Sequence, residues 1–502
     1  MKNITISKLL NKLRAPGWLV LVFALVIILR IPSFFEPFSY GDEMIYLTLG
    51  EAIKRGMVLY RDIHDNKPPL LYILAAVAGN VFWFRAILAA WSLATIFLFW
   101  KLSEALFPHK KSFQRVATII FAILYTLPLF EGQVANAEVF MIGPIIAGFL
   151  ILFTKAVNTK NLFFAGGLFS VATLFKFPAA FDLPVILVFW LIFLDIKRLW
   201  RDWVRKSLPF VAGFLAPIAL TLIWYFLRGG LKEYIIAAFA QNIGYLSSWR
   251  PSNVAEPFLA RNAPLLIRAA VVGLGTLILF RFRKGLSRPF VFASLWILFS
   301  LFAAALSERP YPHYLIQAVP AASILLAMLF TENSMEQVLV LIPLALFVFT
   351  PVYYKFWYYP TTTYYTRFLE FASGKIDRQQ YFDRFDGNVS RNYKIAEFIN
   401  QSTGPKDKIF VWGDSPPIYA LTRRFPPGKY VATYHIMDFS TGEEAIGTLE
   451  KNMPALMVVL PGSPEFRELT FLLRENYVFL EDIEGAEIWF LANPTVRAFL
   501  AR

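Results

Sequence analysis

The stretch Pro68-Pro-Leu-Leu-Tyr-Ile-Leu-Ala-Ala-Val-Ala-Gly-Asn-Val-Phe-Trp83 decides how the chain is threaded through its solvent. Eleven further apolar runs lie near residues 17–34, 85–107, 115–130, 139–154, 161–176, 178–194, 207–228, 263–281, 289–306, 313–330 and 336–354. Lys2, Lys8, Lys12 and Arg14 precede the first run and keep the N-terminus in the cytoplasm. If all twelve runs crossed a bilayer, three basic loops would fall outside: Lys110/Lys111/Arg115, Lys197/Arg198/Arg201/Arg205/Lys206 and Arg281/Arg283/Lys284/Arg288. That inverts the positive-inside rule. Taking out the crossing at 68–83, which is short and opens on two prolines, returns all three loops to the cytoplasm. The segment is therefore expected to lie in the interface or to re-enter from outside.

Composition agrees with a bilayer as the main solvent. Hydrophobic residues make up 57% of the chain, with 51 Phe among 502 residues, and the mean hydropathy is +0.52. A soluble chain of this size could not bury so much apolar surface. The net charge of +14 would suggest nucleic acid, but the basic residues cluster between the apolar runs, as orientation signals do. The chain has no cysteine, which excludes disulfides, thiolate catalysis and Cys-ligated zinc. The run from Trp18 ends in Arg30-Ile-Pro-Ser without a small-residue cleavage site, so it reads as a retained first span.

The expected architecture is a polytopic α-helical membrane protein with about eleven transmembrane helices plus interfacial helices. The membrane part covers 1–355 and includes a first outer loop at 35–84. An aromatic, interface-like linker occupies 356–387, and a small extracytoplasmic α/β domain occupies 388–502. In that domain Asn392–Gln401, Gly442–Asn452 and Glu465–Asn476 have helical periodicity. Lys408–Trp412 and Leu456–Leu460 read as buried strands, and Tyr477–Leu491 as a closing strand pair. Neither a GxGxxG nor a P-loop accompanies these strands, so no nucleotide site is expected.

Under this threading four polar elements emerge on the outer side. The first is Ser39-Tyr-Gly-Asp-Glu, where Asp42 and Glu43 follow the first membrane exit. Adjacent helical residues diverge by about 100°, so only one carboxylate can face a site. Asp42 is expected to do so, with Glu43 in support; the bland alternative is that Asp42 simply caps the helix. The second is Asp65-Asn-Lys67-Pro-Pro, whose prolines hold Lys67 at headgroup depth, where an ammonium can bind a lipid phosphate. A snorkelling lysine is the alternative. The third, Glu131-Gly-Gln-Val-Ala-Asn136-Ala-Glu138, places a carboxylate at the mouth of a span. The fourth, Glu308-Arg309-Pro-Tyr-Pro-His313-Tyr314, offers a guanidinium, an imidazole and a phenol. Each alone could be a boundary residue. Their meeting on one side of the membrane points to a site.

The Asp42-Glu43 pair, Asp65-x-Lys67-Pro-Pro, Asn136-Ala-Glu138 and Arg309…Pro312-His313-Tyr314 together resemble the polytopic GT-C glycosyltransferases. The likeness is to the protein-mannosyltransferase and aminoarabinose-transferase type, glycosyltransferase family 39-like, and it extends over about residues 1–355. The passage Asp407-Lys-Ile-Phe-Val-Trp-Gly-Asp-Ser-Pro-Pro-Ile-Tyr-Ala-Leu-Thr looks like the extracytoplasmic tail of bacterial members. Where protein mannosyltransferases carry His-Pro-Pro this chain has Lys67-Pro-Pro, which favours the bacterial lipid-phosphate branch.

The resemblance implies an integral protein of the bacterial cytoplasmic membrane that takes a polyprenyl-phosphate-linked sugar. It transfers the sugar at the outer face, with inversion, to a lipid, glycan or protein acceptor. Asp42 would be the general base, Glu43 its support and Glu138 the group that orients acceptor or sugar. Lys67, Arg309, His313 and Tyr314 would serve the donor phosphate, and Tyr40, Asp65 and Asn136 would contact substrate. A divalent cation is compatible with these residues but not required by them, since His64, His109, His313 and His435 lack ligand spacing. A transporter or flippase of a lipid-linked saccharide is the rival, with the helix break Lys176-Phe-Pro178 and nearby Asp182 as its candidate path. A cell-envelope scaffold is another.

Overall fold

The computed structural model describes residues 15–194, 199–244, 257–385 and 388–493. Lys2, Lys8, Lys12 and Arg14 lie outside the described residues, as do Lys197, Arg198 and residues 245–256 between the apolar runs at 207–228 and 263–281. The decisive stretch is not one run. Its first half forms a nine-residue helix, Leu70–Ala78, ended by Gly79 at φ +71°, whose amide donates to the Ala75 carbonyl. That left-handed step is natural only for glycine. Asn80 then caps the next helix, Val81–Leu106, by accepting from the Trp83 amide at 2.9 Å. At 1.5 Å per residue the short helix is about 14 Å long, against a hydrocarbon core of about 30 Å.

Among the described residues six helical segments are long and apolar enough to cross a membrane: Gly17–Phe35, Val81–Leu106, Ala137–Thr154, Trp200–Leu227, Phe258–Phe282 and Met335–Tyr353. Phe177–Phe193, Arg288–Ala304 and Val319–Thr331 are shorter apolar helices. The segments Trp200–Leu227 and Phe258–Phe282 bury only a small share of their surface, and residues such as Leu220 and Leu277 stand about two-thirds exposed. Helices that are apolar all round and yet exposed belong in lipid.

The chain divides into two compact units that do not follow chain order. One comprises 1–34, 85–220 and 243–361; the other comprises 35–84, 221–242 and 362–502. In the first unit, helices Thr159–Phe175 and Leu199–Leu227 cross at reciprocal glycines. A Cβ on Gly166 would lie 1.9 Å from the Phe210 carbonyl oxygen, and one on Gly213 would lie 2.0 Å from that of Phe163. Backbone contact of this kind is how membrane helices associate where lipid is as apolar as leucine.

In the second unit a four-stranded sheet has the order β1-β2-β4-β3: β1 Ile409–Trp412, β2 Leu456–Val459, β3 Tyr477–Ile483 and β4 Ala486–Leu491. β1 and β2 are parallel, and β4 runs antiparallel to both β2 and β3. Helices Val389–Ser402, Gly442–Lys451 and Arg467–Asn476 form where the periodicity predicts them. Phe410, Trp412 and Met457 pack with Leu469, Leu472 and Leu473 of the last helix. The helix Gly41–Lys54 of the first loop packs on both Leu70–Ala78 and Pro416–Thr422 of this unit.

Candidate active site

The first cluster lies in the unit that contains residues 35–84. Tyr40 is the N-cap of Gly41–Lys54 but makes no side-chain cap, so Asp42 and Glu43 both fall in the first helical turn. Their side chains diverge as helical geometry requires: that of Asp42 is 33% exposed, whereas Glu43 is fully buried. One turn on, the Tyr46 hydroxyl donates to Asp42 Oδ2 at 2.8 Å. Burial holds that hydroxyl well above its ordinary pKa, so it stays a donor. Asp42 is thus a hydrogen-bonded carboxylate inside the first turn rather than a helix cap.

Lys67 reaches this carboxylate from the loop. Its Nζ lies 3.4 Å from Asp42 Oδ2, 3.7 Å from Asp65 Oδ2 and 5.0 Å from the centroid of the Tyr46 ring. The backbone around it is pinned: Tyr60 OH donates to the Lys67 carbonyl at 2.8 Å, and the Lys67 amide donates to Tyr72 OH. Asp65 is almost completely buried, accepts from the Asn66 amide, and has His435 Nε2 3.6 Å from its Oδ1. Burial lowers the pKa of His435 despite Asp65, and it takes His64 down to about 4, so both rings are neutral at pH 7. The His64 amide donates to the Lys429 carbonyl at 2.8 Å. His435 was not legible as a neighbour of this loop, since 370 residues separate it from Asp65.

The second cluster lies in the other unit. Asn136 is the N-cap of Ala137–Thr154, and Glu138, in its first turn, is buried. Lys176, in extended backbone between Thr159–Phe175 and the 3₁₀ segment Phe177–Asp182, forms an ion pair with Glu138 and sits 3.9 Å from the Tyr314 ring centroid. His313, on the 3₁₀ turn Pro312–Gln317, binds Glu131 through Nδ1 and places Nε2 3.7 Å from Glu138. Tyr311 stacks on the imidazole. Glu131 reaches it from a strained loop, at φ +57°. The loop also presses Gly132 against the preceding helix, where a Cβ would lie 2.3 Å from the Tyr125 carbonyl oxygen. Gln133, next in the loop, is buried with neither side-chain polar atom hydrogen-bonded. Arg309 is half-buried on the turn after Glu308, its amide donating to Ser307 Oγ at 3.3 Å, while Glu308 pairs with Arg268 at 3.1 Å.

The residues on which a conduit would rest are both engaged. Lys176 is paired with Glu138, and Asp182 accepts from Trp296 Nε1 at 2.8 Å, Ser300 Oγ at 3.1 Å and Gln317 Nε2 at 2.7 Å. In this cluster Glu131 and Lys176 are the site residues that sequence reasoning did not nominate. The signals were a carboxylate opening the second loop and a lysine at a helix break. Among the described residues no group of three or more His, Asp and Glu side chains is arranged to hold a metal ion.

No protein-family model and no curated protein matches the sequence. Among solved structures, ArnT from Cupriavidus metallidurans bound to undecaprenyl phosphate superposes with a TM-score of 0.54 at 13% identity. The match covers 95% of this chain and 98% of that one. Its apo form gives 0.54 at 15% identity over 97% and 99%. The chain has the GT-C fold. The archaeal oligosaccharyltransferase AglB from Archaeoglobus fulgidus, in complex with an inhibitory peptide and a dolichol-phosphate, gives 0.43 at 12% identity. This GT-C chain spans 74% of that protein's length.

Proposed function

We propose that this chain is an inverting glycosyltransferase that moves a sugar, hexosyl or pentosyl, from a polyprenyl-phosphate donor to an acceptor hydroxyl at the outer face of the membrane. The observation that carries the reading is the ammonium of Lys67 held 3.4 Å from Asp42 in the first loop of a GT-C fold. In the reaction the acceptor O–H proton passes to the Asp42 carboxylate and the acceptor oxygen bonds the anomeric carbon. The bond from that carbon to the phosphate oxygen breaks, and the lipid monophosphate leaves on Lys67. Tyr46 holds Asp42 through its hydroxyl, and Asp65 holds Lys67 by charge. Glu43 supports the turn, and Tyr40 contacts substrate.

Glu138, oriented by Lys176 and His313, is assigned to the acceptor or sugar together with Asn136. Arg309, His313 and Tyr314 are assigned to the donor phosphate. The same reading gives eleven crossings, a cytoplasmic N-terminus and an extracytoplasmic domain after residue 388 in a bacterial cytoplasmic membrane. The acceptor is a lipid, glycan or protein hydroxyl. The test is turnover by purified protein given a polyprenyl-phosphate sugar. Asp42→Asn is expected to abolish transfer while thermal unfolding is unchanged; full activity in that variant would remove Asp42 as the base.

A further inference from the structure

A cavity of about 490 Å³ lies within the first unit, away from Glu138 and His313. Its wall is built by Phe153 in the last turn of Ala137–Thr154 and by Phe189, Trp190 and Phe193 at the end of Leu183–Phe193. Two cations complete it: Lys206, early in Leu199–Leu227, and Arg288, the first residue of Arg288–Ala304. Glu138 opens the helix that Phe153 nearly closes. At 1.5 Å per residue the fifteen steps from Glu138 to Phe153 put the cavity about 22 Å along that axis from the second cluster. It therefore belongs to the opposite end of the bundle, where the basic loops converge.

Among the described residues no carboxylate pairs with either cation. Lys206 is half-buried and Arg288 exposed, and neither forms an ion pair among the described residues. Glu336 is taken up by the residue before Arg288, accepting from both the amide and the hydroxyl of Ser287. The Arg288 guanidinium instead lies 5.3 Å from the Phe193 ring centroid. An aromatic chamber with two cations at its rim matches one chemistry, a phosphate diester joined to acyl chains. A soluble phosphate would leave the aromatic wall unused, and a zwitterionic headgroup would bring an ammonium to the cations.

We propose that this cavity binds an anionic glycerophospholipid of the inner leaflet, with its phosphate on Lys206 and Arg288 and its acyl chains against Phe153, Phe189 and Trp190. The site is separate from glycosyl transfer and stands whether or not that activity is found. It rests only on the orientation that puts the basic loops on the inner side.

The experiment is native mass spectrometry of the full-length protein in detergent, titrated with phosphatidylglycerol or with phosphatidylcholine of the same chains. One phosphatidylglycerol is expected to be retained in preference to phosphatidylcholine. Lys206→Gln with Arg288→Gln should weaken it about thirtyfold, at the usual contribution of a basic residue near an anionic headgroup. The charge-preserving Lys206→Arg with Arg288→Lys should keep it, which guards against a misfolded double variant. Arg281→Gln with Lys284→Gln, basic residues of the same loop that do not line the cavity, should leave it unchanged. Equal retention of the two lipids, an unaffected Gln variant, equal loss in the loop control, or displacement by inorganic phosphate would each overturn the proposal.

Discussion

Replacing Lys67 by glutamine separates the two duties that its position gives it. Its Nζ stands 3.4 Å from Asp42 and 3.7 Å from Asp65. At an effective dielectric of about 20 each attraction is on the order of 4 to 5 kcal/mol gross. Solvent at the partly exposed Asp42 and the cost of desolvating the ammonium reduce the net worth to about 1–3 kcal/mol. Lys67→Gln leaves Asp65 buried with the Asn66 amide, the Tyr72 hydroxyl and a neutral His435 beside it but no cation. Stability should therefore fall by about 1–3 kcal/mol. In the reaction the variant loses the charge that receives the leaving phosphate, worth about 3–4 kcal/mol, or a factor of about 10² to 10³ in kcat/KM. The two effects come apart in the double variant Asp65→Asn/Lys67→Gln, which removes the stranded carboxylate. Thermal unfolding in detergent should return toward the wild type while turnover of a polyprenyl-phosphate sugar stays low. A Lys67→Gln enzyme within threefold of wild-type kcat/KM would refute the reasoning, as would a double variant that recovers activity along with stability.

Two further outcomes follow from other residues. Asp182→Asn turns one acceptor oxygen into a donor that faces either the Trp296 and Ser300 donors on Oδ1 or the Gln317 donor on Oδ2, so thermal stability should drop by about 1–3 kcal/mol. Transfer by the surviving folded protein should stay within threefold, whereas a conduit routed through Asp182 would lose its function. The His64 pKa is depressed by burial from 6.5 to about 4, so the unfolded chain takes up this proton first. Its contribution is whole above pH 6.5 and is lost as the pH falls toward 4, an upper value of about 3 kcal/mol. Denaturant midpoints between pH 4 and 7 should show that slope, and His64→Gln should flatten it; an unchanged slope in the variant would discount His64.

Much of the fold was legible because it rests on local signals. Apolar runs separated by basic clusters locate the helices, and alternation and periodicity after Asn388 locate the sheet and its covering helices. Reading 68–83 as a single run missed the break at Gly79-Asn80, although a Gly-Asn pair inside an apolar stretch is a stop followed by a cap. In the site, the divergence of Asp42 and Glu43 and the placing of Lys67 follow from helix geometry and two prolines. The partners of those residues do not. Lys176 meets Glu138 across 38 residues, Glu131 meets His313 across 182, and His435 meets Asp65 across 370. Contacts at such separations depend on tertiary packing, which no local pattern encodes.

The amide of His64 bound to the Lys429 carbonyl, and the Arg55 guanidinium bound to that of Arg423 at 3.1 Å, bear on how the gene could be recombined. The tail is not a cartridge that can be exchanged at the end of the last apolar helix. A chimera that imported a foreign tail would strip the loop carrying Asp42 and Lys67 of its carbonyl acceptors and of the imidazole beside Asp65. A workable crossover has to carry residues 35–84, 221–242 and 362–502 together, as one inheritable block split in three along the chain.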